Sequence, residues 1–419
     1  MAGPARISIV APSADRWTGY AVKVLIVCIL AWAFDIYEQT IMQLVTPLLI
    51  KEWQITPTTI GMITTLSRWV GIWGIFIFPA LADIYGRQPI LAASILGYSL
   101  VTGLTGFARN WQQLLMATSL SRIAMSGEQP IGTVLIAETA PIRWRATALG
   151  GLVSGYPFGY MVTTLVGMAV VPRFGWRALY WLGILPALLV FVVMWGMKES
   201  PRFERVVTHG GSLKRHFDIL APTRHYPREM ILGTLLYFLY LFTWGGWSAW
   251  MPHFLASEKH LGFETAARYL SIWMFAAIFA YWFCGWLSDR FGRRYVIPAF
   301  VMPGAILLAL LGPQNDPKTL LLLGGAVNFL ITGSFGSGLG YVSELFPTEI
   351  RGRAYGSAAL FGGLASSFAP MIIGRIATTR SIAAGLPLLA LSFFLIGPIF
   401  MFAARETVGQ ELSDFVDQK

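Results

Sequence analysis

Long apolar runs alternate with short polar connections along almost the whole chain. A helix needs roughly 20 apolar residues to cross the hydrocarbon core of a bilayer. Twelve runs are of about that length, at residues 20–48, 59–80, 89–107, 111–138, 147–170, 177–197, 229–252, 266–287, 295–312, 319–343, 354–376 and 383–404. The pattern therefore predicts an all-α membrane protein with twelve transmembrane helices.

Two short motifs occur twice in the chain, and each recurs 206 residues further on. The first motif, at residues 79–90 and 285–296, shares these positions: Asp83, Gly86 and Arg87, then Asp289, Gly292 and Arg293. The second motif is an acid followed three residues later by proline, with an arginine beyond it: Glu138 and Arg145, then Glu344 and Arg351. Two motifs that keep one spacing in both halves indicate a tandem repeat.

The longest polar connection divides the predicted helices into two sets of six. We therefore predict an N-terminal six-helix bundle over residues 1–197, a cytoplasmic linker over 198–228 and a C-terminal six-helix bundle over 229–419. The motif copies run in the same direction, so the pseudo-repeat is parallel. The two bundles should be related by an axis along the membrane normal.

Composition and charge agree with a lipid environment. The chain is 55% hydrophobic and only 12% charged, about half the charged fraction of a typical soluble domain. The net charge of +10 is spread over short connections and forms no basic face for nucleic acid. Lysine and arginine are concentrated in alternate loops, which predicts cytoplasmic termini in a bacterial inner membrane. We expect a functional monomer whose macromolecular surroundings are the lipid bilayer.

The repeated charges lie where helices end on the predicted cytoplasmic face. Gly86 permits a tight turn between Asp83 and Arg87, and an acid at this point can face the positive end of a neighbouring helix. We predict a cytoplasmic gate formed by both copies of the two motifs. The alternative is that these charges only satisfy helix ends and set the topology.

At these residues the chain resembles the major facilitator superfamily. The Asp-x-x-Gly-Arg motif follows the second and eighth predicted helices, and the Glu-x-x-Pro motif follows the fourth and tenth. Residues 198–203 (Lys-Glu-Ser-Pro-Arg-Phe) and 405–407 (Arg-Glu-Thr) are similar to the sugar-porter branch and its metabolite–proton symport relatives. The resemblance implies alternating access between two six-helix bundles around a central site.

Five ionisable residues lie inside the predicted spans of the N-terminal half: Asp35, Glu38, Arg68, Arg122 and Glu128. Such residues are costly in a membrane and are functional candidates by default. Three acids against two arginines leave a charge of about −1, and protonation of one carboxyl removes the barrier to an anion. The alternative is a permanently paired cluster that holds the helices together.

Resemblance adds roles to these positions. Residues 34–49 resemble a helix of phosphate and aromatic-acid symporters, Arg122 matches an arginine that the superfamily associates with proton coupling, and Gly127-Glu128 is similar to the organic-anion branch. We assign proton coupling to Asp35, Glu38, Arg122 and Glu128, with Arg68 or Arg122 as the substrate-carboxylate ligand.

The C-terminal half contributes aromatic and amide groups instead of charges. Tyr237, Tyr240 and Trp244 follow helical spacing and share a stripe, which is typical of packing or of an interfacial belt. We nevertheless include these three residues and Asn328 among the candidate substrate-binding residues.

The sequence favours a proton-coupled symporter of a small organic anion, aromatic or aliphatic, with protons as the coupling ion. Alternatives are a phosphate or sugar symporter, a drug or metabolite antiporter, and a non-transporting scaffold of the same fold. No nucleophile–base arrangement or metal-ligand cluster favours an enzyme, and we expect no metal and no organic cofactor.

Overall fold

The computed structural model describes residues 17–126, 145–188, 226–346 and 351–406, together with residues 128, 132, 135, 136 and 139. Over this part of the chain the regular structure is helical and no strand occurs. The α-helices are α1 Gly19–Trp53, α2 Pro57–Tyr85, α3 Arg87–Thr105, α4 Trp111–Met125, α5 Arg145–Phe174, α6 Arg177–Leu182, α7 Pro227–His253, α8 Gly262–Phe291, α9 Arg293–Leu311, α10 Pro317–Glu344, α11 Arg351–Ser366, α12 Ala369–Thr379 and α13 Ile382–Phe402. A π-helical turn, Phe254–Glu258, extends α7.

The helix boundaries repeat with the same spacing as the sequence motifs. Corresponding ends lie 206 residues apart: α2 and α8 end at Tyr85 and Phe291, α3 and α9 begin at Arg87 and Arg293, α4 and α10 begin at Trp111 and Pro317, and α5 and α11 begin at Arg145 and Arg351. The repeat is therefore structural and extends well beyond the two motifs that revealed it.

Glycine makes the turn between paired helices possible in both halves. Gly86 joins α2 to α3 with φ of 103°, and Gly292 joins α8 to α9 with φ of 90°. Residues with a Cβ rarely adopt positive φ, whereas glycine does so at little steric cost. The turn predicted from the motif is therefore present at both positions.

Eight spans of the described chain are long and apolar enough to cross a membrane, and one of them comprises α11 and α12 together. The predicted linker and the predicted end of the sixth helix fall almost entirely outside the described residues, so the domain boundaries stay a prediction. The eleventh predicted helix differs from expectation, because it is interrupted between α11 and α12. Pro370 lies in the first turn of α12, where its missing N–H and its ring disfavour a continuous α-helix.

The helices of each half pack against one another, and the two halves also contact each other. In the N-terminal half α1 packs against α5, and α4 packs against both α2 and α3. In the C-terminal half α9 packs against α13, α8 against α10 and α7 against α11. Among the described helices, the most extensive contacts between the halves are those of α2 with α12, α5 with α8, and α1 with α7.

Hydroxyl groups and glycines bring the two halves together at the end where α2 begins. The Thr58 and Thr378 hydroxyls lie 2.9 Å apart, and Thr65 donates to the Ser367 carbonyl at 2.9 Å. A Cβ added at Gly61 would lie only 2.6 Å from the Pro370 carbonyl oxygen. This close backbone approach is typical of membrane helices that pack through small residues.

Candidate transport site

Two acids lie side by side near the middle of α1. Asp35 and Glu38 are three residues apart, so they share a helix face. Their exposed fractions are only 4% and 7%. The Ser121 and Thr102 hydroxyls lie beside the Glu38 carboxyl, while Glu38 Oε2 is buried without a hydrogen-bond partner. The predicted pair is therefore enclosed by helices of the N-terminal half.

An amide links one of these acids to the arginine of α4. Gln39 Nε2 donates to Asp35 Oδ1 at 2.9 Å, and Gln39 Oε1 accepts from Arg122 Nη1 at 3.4 Å. Among the described residues, no ion pair within 4.0 Å joins Arg122 to Asp35 or Glu38. Sequence reasoning missed Gln39, because an uncharged amide in an apolar helix carries no distinctive signal.

The third acid, Glu128, is buried in the same half. It is 3% exposed, and neither of its carboxyl oxygens has a hydrogen bond of normal geometry. The Tyr98 hydroxyl of α3 lies beside its carboxyl group, and Asp35 and Glu38 lie close enough to interact with it electrostatically. The structure thus brings all three predicted acids and Arg122 into one cluster.

Arg68 lies apart from these acids, at the contact between the halves. It follows Pro57 by eleven residues, about 16 Å along a helix axis and so near the middle of a hydrocarbon core of about 30 Å. A Cβ added at Gly245 would lie 2.9 Å from Arg68 Nη1, which places the guanidinium against the α7 backbone. Its electrostatic neighbours are Arg122 and Tyr156, and no carboxylate in the described part of the chain pairs with it.

Tyr156, which interacts electrostatically with this guanidinium, belongs to a series of aromatic contacts between the two halves. Tyr156 of α5 contacts Trp244 of α7 edge to face at 5.3 Å between ring centroids. Trp244 also contacts Phe335 of α10 at 6.2 Å, and Tyr281 of α8 lies close to Tyr156. Trp244 was predicted as a substrate-binding residue, whereas the other three rings were missed because aromatic residues are common in membrane helices.

The remaining C-terminal candidates contact other residues of their own half. Tyr237 donates to the Tyr355 hydroxyl at 2.6 Å, and Tyr240 packs against Phe335 and Phe393. Asn328 uses both ends of its amide: it accepts from Trp247 Nε1 at 3.2 Å and donates to the Trp273 carbonyl at 3.1 Å. A substrate role for these three residues stays a prediction.

Two of the predicted gate residues contact each other where α9 begins and α10 ends. Arg293 forms an ion pair with Glu344, and the Glu406 carboxylate accepts from the backbone N–H groups of Arg293 and Arg294, both at 3.1 Å. This ion pair joins two helices of one half, so it stabilises the C-terminal bundle and does not itself bridge the bundles.

The other charged gate candidates cannot be placed. The side chains of Asp83, Arg87, Glu138, Arg145, Asp289 and Arg351 lie outside the described residues. Their role as a gate between the bundles therefore stays a prediction.

A polar cavity opens beside the acids of α1. Its lining includes Glu38, Gln39, Gln43, Arg122 and Tyr180, together with hydroxyl groups of α1, α2 and α4. Within the described ranges, no group of three His, Cys, Asp or Glu side chains could hold a metal ion. The cavity therefore offers exchangeable protons, amides and a guanidinium as its chemistry.

Comparison with curated proteins finds transporters of small metabolites. The chain is 30% identical over 373 residues to a probable 4-methylmuconolactone transporter of Cupriavidus pinatubonensis, with 85% of this chain and 84% of that protein covered. It is 24% identical over 391 residues to the putative niacin/nicotinamide transporter NiaP of Bacillus subtilis, with 93% and 97% covered.

The fold is shared with solved transporters. A crystal structure of a D-xylose–proton symporter superposes with a TM-score of 0.77 at 16% identity, with 94% of this chain and all of that chain covered. The model of the Major Facilitator Superfamily matches residues 25–370 and again residues 234–414. The predicted fold class is thereby confirmed, with twelve helices in two bundles. The chain belongs to the Major Facilitator Superfamily of membrane transporters.

Proposed function

We propose that this protein is a proton-coupled symporter of a small organic acid. The observation that carries the proposal is Arg68, a guanidinium near the middle of the membrane that pairs with no described carboxylate. An uncompensated charge at that depth is costly, and a substrate carboxylate would compensate it. Arg68 is then the anion ligand between the two halves.

The acid cluster supplies the proton chemistry of the proposal. Asp35 and Glu38 face a single neighbouring arginine, Arg122, and Glu128 interacts with both of these acids. When all three acids are ionised, the cluster and Arg68 together carry a charge of about −1, which repels an anionic substrate. Protonation of Asp35 or Glu38 removes that charge, so proton binding and acid binding favour each other.

The neighbours of Arg68 favour an organic acid over the alternatives. A neutral sugar would leave the guanidinium unpaired, and inorganic phosphate would make no use of the rings of Tyr156, Trp244 and Phe335. Relatives described as a putative niacin/nicotinamide transporter and a probable 4-methylmuconolactone transporter agree with a small organic acid as the substrate. Antiport remains the competing mechanism, and it differs in the direction of proton flow.

Orientation follows from the charges of the loops. With the N-terminus in the cytoplasm, most lysine and arginine residues face inward. The Pro57 end of α2 then faces outward, and the repeated motifs face the cytoplasm. We place the protein in a bacterial inner membrane, where an inward proton gradient can drive uptake.

Uptake by purified protein in liposomes tests the proposal. Vesicles with an alkaline lumen should accumulate radiolabelled nicotinate, and collapse of the proton gradient should abolish the accumulation. Glu38→Gln should lose gradient-driven accumulation, and Arg68→Gln should lose nicotinate binding. Protein-free vesicles measure passive entry of the neutral acid, and Arg109→Gln, at an exposed loop position, is the matched arginine control. Gradient-independent uptake that Glu38→Gln leaves unchanged would refute symport.

A further inference from the structure

The amide of Gln39 occupies the position between an acid and a base. It donates to Asp35 at 2.9 Å and accepts from Arg122 at 3.4 Å. Asp35 and Gln39 are four residues apart on α1, so their side chains meet on one face of the helix. Arg122 reaches the same point from α4. One side chain therefore connects the two helices through both ends of its amide.

The polarity of the amide matches its two neighbours in only one orientation. An ionised carboxylate only accepts hydrogen bonds, and a guanidinium only donates them. The NH₂ group of Gln39 must therefore face Asp35, and its oxygen must face Arg122. A glutamate at position 39 would place acceptor against acceptor, and a leucine would satisfy neither neighbour.

The amide also takes the place of a direct ion pair. In the described residues Arg122 and Asp35 are not within salt-bridge distance. A carboxylate held by a direct, buried arginine pair is locked in its ionised form, because neutralising it would strand the arginine charge. A carboxyl group held by an amide keeps its hydrogen bond both when it is protonated and when it is ionised.

We propose that Gln39 is a positioning residue that holds Asp35 and Arg122 apart, so that Asp35 can gain and lose a proton beside a fixed cation. The proposal rests on the proposed proton coupling and names the group that makes the coupling reversible. Loss of the spacer lets Arg122 pair directly with Asp35, and the protein then exchanges substrate without being driven by protons.

Several other groups act on Asp35 and enter any titration. Glu38 lies on its own helix, Tyr98 lies on α3, and Arg122 and Glu128 approach from the fourth membrane helix. Gln43 lies one helical turn beyond Gln39 and lines the same cavity. Because Gln43 Oε1 is buried and has no hydrogen-bond partner, Gln43 is a matched control.

Infrared titration of the purified protein tests the spacer without any substrate. The C=O stretch of protonated carboxyl groups is followed against pH, and Asp35→Asn identifies the Asp35 component. Two substitutions separate spacing from hydrogen bonding. Gln39→Ala opens space for a direct pair, so Asp35 should release its proton at a lower pH than in the wild type. Gln39→Met keeps the bulk but loses the donor, so the release should move to a higher pH.

Opposite shifts in the two variants, with no shift in Gln43→Ala, support the proposal. A rise in both variants, which a simple donor predicts, or no shift in either one, overturns it. If Gln39→Ala does not fold, Gln39→Ser opens the same space and takes its place.

Transport measurements separate this proposal from the proposed function. Gln39→Ala should keep nicotinate exchange across vesicles without a gradient within about twofold of the wild type. It should lose gradient-driven accumulation. If accumulation by the wild type does not depend on the proton gradient, the symport mechanism is refuted. If the gradient drives accumulation equally well in the wild type and in Gln39→Ala, only the spacer role of Gln39 is refuted.

Discussion

The buried charges of the N-terminal half divide into two groups with different surroundings. Asp35, Glu38 and Glu128 lie with Arg122 inside one bundle, where an amide and hydroxyl groups are their neighbours. Arg68 lies between the bundles, against the backbone of Gly245 and near Tyr156. The arrangement separates the groups that can carry a proton from the group that can bind an anion.

Trp244 should contribute to selection of the substrate, because it precedes Gly245, which lies against Arg68, and its ring contacts Tyr156, a neighbour of Arg68. Aromatic contacts contribute about 0.5–1.5 kcal/mol beyond area burial. Trp244→Leu should therefore weaken binding of benzoate about 2- to 12-fold relative to cyclohexanecarboxylate, which has the same charge and a similar size. Calorimetric titration of detergent-purified protein measures this ratio.

Trp247, almost one turn further along α7, is the matched control. It is buried and donates to Asn328, so Trp247→Phe should lower the unfolding temperature because Asn328 loses a partner, at a cost of about 1–3 kcal/mol. The benzoate ratio should stay at its wild-type value. Equal ratios in Trp244→Leu and the wild type would exclude a role for the Trp244 ring in selection.

The charged residues of the site could be predicted from the sequence, because a charge inside an apolar run is conspicuous. Gln39, Tyr156 and Phe335 could not, since amides and rings are ordinary in membrane helices and only packing shows which ones meet a charge. The stripe on α7 illustrates the limit. Its residues share a helix face, yet Tyr237 contacts Tyr355 while Trp244 contacts Tyr156.

At the scale of helices, the repeat predicted more than the motifs themselves contain. Four helix boundaries recur at the motif spacing of 206 residues, and the apolar runs predicted most helix ends within a few residues. The interruption of the eleventh helix was not predicted, although Pro370 is its visible cause. The motifs showed that charges recur at helix ends, but they did not show which helices those charges join. Arg293 and Glu344, for example, pair within one bundle.

The turn between α8 and α9 should tolerate no side chain. Gly292 has φ of 90°, and a Cβ there would lie 2.5 Å from Glu406 Oε2. Gly292→Ala should destabilise the protein by about 1–3 kcal/mol, the usual cost of a strained backbone conformation. The unfolding temperature of purified protein measures the effect.

Gly285, in the interior of α8, is the control for this substitution. No atom lies within 4 Å of a Cβ added there, so Gly285→Ala should be neutral or stabilise the helix by up to about 1 kcal/mol. An unfolding temperature for Gly292→Ala as high as that of Gly285→Ala would show that the turn needs no glycine.

On the scale of the whole molecule, the structure holds its halves together at one end. The contacts of Thr58 with Thr378 and of Thr65 with Ser367 join α2 to α12 and to the turn before it, at the end proposed to face outward. Alternating access requires these contacts to break when that end opens. The close packing of Gly61 against Pro370 must then form again each time this end closes.

A disulfide across this contact should arrest transport. Thr58→Cys with Thr378→Cys, in a protein whose buried Cys28 and Cys284 are replaced by alanine, should cross-link under mild oxidation, since the parent hydroxyls lie 2.9 Å apart. Nicotinate uptake should stop on oxidation and return on reduction. Thr58→Cys alone controls for oxidation itself, and full uptake by the cross-linked pair would show that this end does not open.

The most direct measurement follows protons and substrate together. Liposomes that contain the protein and a luminal pH indicator are given an inward nicotinate gradient without an initial pH gradient. With proton symport, nicotinate entry should acidify the lumen beyond the change in protein-free vesicles, and Glu38→Gln should abolish this excess. Nicotinate entry that leaves the luminal pH at the protein-free level, or that makes the lumen alkaline, would contradict proton symport.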